Sequence, residues 1–255
     1  MCTLSIIPLS LDRLSGYRMV SSRDESRDRS EAKPPRWREL SETLRGIWPT
    51  DPEGGGTWVA VANSGLGLAL LNRNPEPPIA IPPPGPLVSR GKLIPKLIDS
   101  ASLAAVAQRL RSMPLDRFAP FRILATAFER GQVHCVEVVW DRSDLDVKPA
   151  VQPPLCLVSS GLGDSRVQAR LPLFSDLVKK NPNPEAQDAF HKHVWRDRRE
   201  ISVLMERPDA TTVSITTCDV LTQPDGRPAV RMGYAPVKWS KAHSTPQLAR
   251  GRASV

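Results

Sequence analysis

Short apolar, strand-like runs bounded by turn signals recur along this 255-residue chain, while helical spacing is confined to a few segments. Residues 3–9 (TLSIIPL) form the first strand-like run, and after a turn residues 17–22 (YRMVSS) supply a hairpin partner. The polar stretch 23–55 passes through Pro34-Pro35 and ends at Gly54-Gly55-Gly56. It reads as a long loop with a short helix over 36–46. Residues 57–62 (TWVAVA) and 66–72 (LGLALLN) flank the turn Asn63-Ser64-Gly65, the clearest hairpin signal in the chain. Segments 121–128 and 132–140 pair around Glu129-Arg130-Gly131, and 155–159 is a short strand. Segments 211–221 and 229–235 flank a turn at 223–228 (QPDGRP).

Helices are expected over 89–99, 102–113, 164–180 and 184–195; in the second, Leu103, Val106, Ala107 and Leu110 share one face. The proline-dense segment 75–86 (PEPPIAIPPPGP) excludes a central strand or helix and reads as an exposed loop or linker. Residues 240–255 lack periodicity and read as a disordered basic tail. About nine strands, mostly in consecutive hairpins, predict one α+β domain over 1–239 with antiparallel sheets rather than alternating βαβ units.

Composition narrows the class. A hydrophobic content of 40% allows a sizeable core. No run approaches the roughly 18 apolar residues of a membrane span, and the N-terminus lacks the basic and apolar regions of a signal peptide. Cys2, Cys135, Cys156 and Cys218 show no CxxC spacing, so reduced thiols and a cytoplasmic location are expected. The net charge of +8 is spread among acids and accompanied by only 5% aromatics, so no nucleic-acid partner is expected. His191 and His193 stand at i and i+2, where helical imidazoles diverge, so no metal is expected.

The second residue carries the candidate chemistry. Methionine aminopeptidases remove Met1 when a small residue follows, which would leave Cys2 with a thiol and a free α-amine. An α-amine titrates at about 7.7–8.0 and can act as the base for its own thiol. Cys2 is either such a nucleophile or an ordinary small apolar residue near a chain end.

Three segments together bear on that choice: Cys2 leading into an apolar strand, Ser22-Arg23-Asp24-Glu25 at the end of the second strand, and 55–72 (GGTWVAVANSGLGLALLN). In order and spacing the set resembles the NRDE family, also called the transport and Golgi organization family. A weaker match is 157–166 (LVSSGLGDSR). The resemblance implies the four-layer αββα fold of N-terminal-nucleophile hydrolases, similar to the choloylglycine hydrolase and penicillin V acylase group. It implies Cys2 as nucleophile, its amine as proton shuttle, and Arg23 and Asp24 beside the thiol, with Arg23 favouring the thiolate and Asp24 orienting the amine. Asn72 falls where the related enzymes place an oxyanion-hole amide, and Trp58 and Ser160 fall at substrate-binding positions. Bland alternatives remain: a surface Arg23–Asp24 pair, a strand-capping Asn72, and a flexible Gly55-Gly56-Thr57 loop.

Two departures stand out. Ser22 replaces the motif Asn, and Ser160 replaces an Asn expected after Leu-Ser. The acylases also use an Arg on a late strand; 212–217 has none, and Arg207 and Arg231 flank it. The expected function is hydrolysis of a linear, non-peptide small-molecule amide through a thioester, without metal or cofactor. The alternative is a haem or lipid carrier on the same fold, with Cys2 ligating haem iron or idle.

Overall fold

The computed structural model describes residues 2–79, 82–148, 152–239 and 247–248. The N-terminal half supplies β1 (Cys2–Leu11), β2 (Leu14–Ser26), β3 (Lys33–Glu39), β4 (Arg45–Thr50), β5 (Val59–Ala62), β6 (Gly67–Asn72) and α1 (Leu103–Ser112). There follow β7 (Phe121–Glu129), β8 (Gln132–Trp140), β9 (Leu145–Lys148), β10 (Leu155–Ser159), α2 (Arg170–Phe174) and α3 (Pro184–His191). The chain then forms β11 (Ala210–Thr222), β12 (Pro228–Lys238) and β13 (Gln247–Leu248).

The strands build two antiparallel sheets, ordered β10-β1-β2-β11-β12-β13 and β3-β4-β5-β6-β7-β8-β9. Alternation along β1 sorts its side chains between two layers. Cys2, Leu4 and Ile6 face inward and join Tyr17 and Met19 of β2 with Val59, Val61, Ala69 and Leu71 of the opposing sheet. Ile7 faces outward and packs on Phe174, Val178 and Phe190 beneath α2 and α3. On the far side, Leu103, Val106, Ala107 and Leu110 of α1 cover Leu68, Leu70, Ile123 and Val138. The order helix, sheet, sheet, helix is the expected αββα layering.

Local chemistry starts the helices. Ser102 Oγ accepts from the Ala105 N–H at 3.1 Å, and Asn183 Oδ1 from the Ala186 N–H at 2.8 Å. Pro184 occupies the first turn of α3, where a missing N–H costs nothing.

The structure corrects several expectations. The helix expected over 36–46 is instead the β3–β4 hairpin. Because β3 is a sheet edge with mostly exposed side chains, it lacks apolar alternation, and an edge tolerates Pro34 and Pro35. Arg38 stacks on Trp48 with 4.4 Å to the ring centroid, so long side chains cover this edge. The four-residue edge strand β9 was not expected either, and the described residues hold thirteen strands rather than about nine. Segment 89–99 contains two 3₁₀ turns, Arg90–Lys92 and Ile94–Lys96, not one helix. Of the expected basic tail, Gln247–Leu248 pairs with β12, and the rest lies outside the described residues.

Candidate active site

Cys2 opens β1 in the interior of its sheet, pairing with Arg23 of β2 on one side and Ser159 of β10 on the other. Directly opposed residues in an antiparallel pair share a face, so the Arg23 side chain lies beside that of Cys2. Both border a cavity of about 600 Å³ between the ends of the two sheets. Asp24, Trp58 and Asn72 also line it. Of the four cysteines, all free, only Cys2 does so.

Arg23 is buried and lies over the Trp58 ring, 4.5 Å from its centroid. Its Nη2 is 3.5 Å from Glu25 and 3.7 Å from Asp51. Arg29 adds contacts to Glu25, Asp51 and Glu53, so the cavity wall is a network of alternating charge. Arg23 does draw the Cys2 thiol toward ionisation, but burial outweighs it and pushes the thiol pKa up. Burial thus favours the neutral thiol and Arg23 the thiolate, with burial the larger effect.

The tetrapeptide 22–25 divides between layers. Arg23 faces the cavity, whereas Ser22 faces the helices, where its Oγ bonds His191 Nδ1 at 2.7 Å. Ser5 Oγ bonds His191 Nε2 at 2.7 Å, and Gln187 Nε2 donates to Ser5 Oγ at 2.8 Å. Burial, reinforced by Arg18 and Arg170, holds His191 down at about 3, so the ring is neutral, with one nitrogen donating and the other accepting. His193 instead packs edge-on against Trp195, and no cluster of three metal-ligating side chains occurs among the described residues.

Asp24, which borders the cavity, is anchored on the helix side. Thr212 Oγ1 donates to its Oδ1 at 2.6 Å, and Arg170 Nη1 lies 3.7 Å from its Oδ2. Burial raises its pKa against the pull of Arg170, Thr212 and Arg207. Arg170 was not singled out from sequence, yet it is among the most deeply buried side chains. Its guanidinium donates to Thr3 Oγ1 at 2.7 Å, Ile201 O at 3.1 Å and Ser202 O at 2.6 Å. Of the two late arginines, Arg207 is buried near Asp24, whereas Arg231 is exposed on β12.

Asn72 closes β6, paired with Phe121. Ser160 is buried but is not among the cavity-lining residues; the adjacent Gly161 is. The Ser160 Oγ accepts from the Leu162 N–H at 3.1 Å, and its N–H donates to Asp164 Oδ1 at 3.1 Å. Asp164 Oδ2 accepts from the Asn74 N–H at 2.9 Å, and Glu76 bonds Ser165, so this turn straps the start of the proline-rich segment. The Gly-Gly-Thr run is a close approach rather than a flexible loop. A Cβ on Gly56 would overlap the Gly91 carbonyl, which accepts from the Thr57 N–H at 3.0 Å. That approach brings Arg90 to the cavity, a residue no motif marked.

Two antiparallel sheets faced by helices, with Cys2 opening an inner strand at a cavity, define the N-terminal-nucleophile hydrolase fold. The structure aligns with an N-acylethanolamine-hydrolyzing acid amidase ortholog from Caenorhabditis elegans at TM-score 0.56 and 12% identity, covering 85% of this chain and 92% of the other. It also aligns with penicillin V acylase from Agrobacterium tumefaciens at TM-score 0.53 and 12% identity, covering 92% and 86%. The chain belongs to the family described as Transport and Golgi organisation 2, whose model matches residues 1–210. No curated protein matches it in sequence.

No helix among the described residues is long and apolar enough to cross a membrane.

Proposed function

We propose that this protein is an N-terminal cysteine amidohydrolase that cleaves a linear, non-peptide amide through a thioester. The observation that carries the reading is the placement of Cys2: it opens an inner strand, opposes Arg23, and is the one cysteine bordering the cavity. The fold, shared with proteins named as an amidase and an acylase, adds support.

With Met1 removed, the Cys2 α-amine takes the thiol proton as sulfur attacks the amide carbon. The neutral resting thiol requires such a base. Charge develops on the carbonyl oxygen, where the Asn72 amide and a backbone N–H donate to it. Collapse breaks the C–N bond, and the α-ammonium protonates the departing amine. Water then adds to the thioester, releasing the acid and restoring the thiol. Arg23, held against Trp58 and Asp51, supplies positive charge beside sulfur throughout.

The haem-carrier alternative fits the cavity less well. Six charged side chains line it (Arg23, Asp24, Glu25, Arg29, Asp51 and Arg90), whereas a porphyrin face calls for apolar walls.

The test uses purified protein whose Met1 status is read by intact mass, assayed against linear acyl amides of varied chain length. Cys2→Ala, which still permits Met1 removal, is expected to abolish acid release. Turnover that survives Cys2→Ala, or a protein that retains Met1 and yet turns over, would sink the proposal.

A further inference from the structure

Three guanidinium groups line the cavity, and they differ in what neutralises them. Arg23 faces Glu25 and Asp51, and Arg29 faces Glu25, Asp51 and Glu53. Arg90 has no ion-pair partner among the described residues; its side chain donates only to the Pro120 carbonyl, from Nη1 at 2.8 Å. Its backbone is nonetheless fixed. The turn Arg90–Lys92 is pinned by the Gly56–Gly91 contact, and Val88 just before it bridges to Phe118. Arg90 and Cys2 line the same cavity, and burial works against the charge on Arg90. At the cavity mouth Leu87 is 54% exposed, and Leu162, beside the cavity-lining Gly161, is 42% exposed. The cavity thus holds, together with Cys2, a guanidinium that has no ion-pair partner among the described residues, and the exposed side chain of Leu87.

We infer that Arg90 is an anion anchor, and that the ligand of this site is an acyl amide carrying a carboxylate close to its scissile bond. This rests on the reading of Cys2 as the reacting residue. A carboxylate on the amine half would meet Arg90 while the carbonyl carbon meets sulfur. The acyl chain would leave past Leu87 and Leu162. Arg90 binds and orients; it transfers no proton.

The alkylation chemistry of Cys2 tests this without knowledge of the natural substrate. Iodoacetate and iodoacetamide differ chiefly in charge, and their relative rates at Cys2 report the field that an incoming carboxylate meets. Arg90→Gln is expected to lower the iodoacetate-to-iodoacetamide ratio about tenfold, the order expected from one unit charge several ångströms away. Arg90→Lys is expected to retain most of it. An unchanged ratio in Arg90→Gln overturns the inference. Should the variant fail to fold, the wild-type protein answers alone. Octanoylglycine is expected to protect Cys2 from iodoacetamide at about one-tenth the concentration of neutral octanoylethanolamide; equal protection overturns the inference. If the charge preference is found but no amide is hydrolysed, the anion site stands and the hydrolase reading falls. If Cys2 reacts with neither reagent in folded protein, both fall.

Discussion

Cys2 is 6% exposed and hydrogen-bonded into a sheet on both sides, so its reactivity depends on what takes its proton. The other three thiols are held out of reaction by burial: Cys135 is pushed up to about 11, Cys156 to about 12, and Cys218 well above its ordinary value. Brief treatment with a neutral alkylating agent at pH 8, read by peptide mass mapping, is expected to label Cys2 well before these three. Its rate should rise through the α-amine range, about 7.7–8.0, because the unprotonated amine is the base. Earlier labelling of Cys135 or Cys156 would contradict the assignment of Cys2. Cys2, Arg23, Trp58 and Asn72 were legible in the sequence because each sits in a run whose residue types and spacing make sense together. Arg90 and Arg170 were not. An isolated arginine in a basic chain gives no sign of whether it will be buried, and burial here follows from segments distant in sequence. Ser160 shows the reverse: its motif position was readable, but its hydroxyl completes a turn.

At the scale of elements, one imidazole of α3 bonds two strands of the first sheet at once, beside the Gln187–Ser5 and Asp188–Arg18 contacts. His191 reaches both β1 and β2, and only its neutral form suits the site. The unfolded chain holds this histidine at about 6.5, and the folded chain at about 3. Its contribution is therefore complete above pH 6.5 and is lost as pH falls toward 3, at about 1.4 kcal/mol per pH unit. Urea unfolding of wild type between pH 7 and pH 4 is expected to show this slope in excess of a His191→Gln variant. Parallel pH dependences in the two proteins would show that the ring is not held neutral. The expected hairpins at 57–72, 121–140 and 211–235 correspond to real strand pairs, each an apolar or β-branched run on either side of a turn signal. Strand β3 escaped because an edge strand buries little and so carries no apolar alternation, whereas β9 does alternate, Leu145 and Val147 with Asp146 and Lys148, but over only four residues.

Across the whole molecule, Arg170 ties the helical layer to the floor of the site. It joins Thr3 of β1, Asp24 of β2 and the 201–202 backbone at one buried point. Arg170 is the largest of the cationic influences on Asp24, and breaking a buried pair costs about 3–5 kcal/mol. Arg170→Met is expected to lose that much in denaturant unfolding. Asp24→Asn should lose less, because its amide oxygen still accepts from Thr212, and the double variant should fall short of the sum of the singles. Additive losses would mean that the two residues act separately. The division of residues 22–25 between two layers also bears on how relatives diverge. A motif that looks like one word in a sequence is two messages in space, one addressed to the cavity and one to the helices. Across an alignment, position 22 should therefore change in concert with positions 5 and 191, and position 24 with position 170. Position 23 should follow 51 and 58 instead, so that neighbours in the chain evolve as strangers.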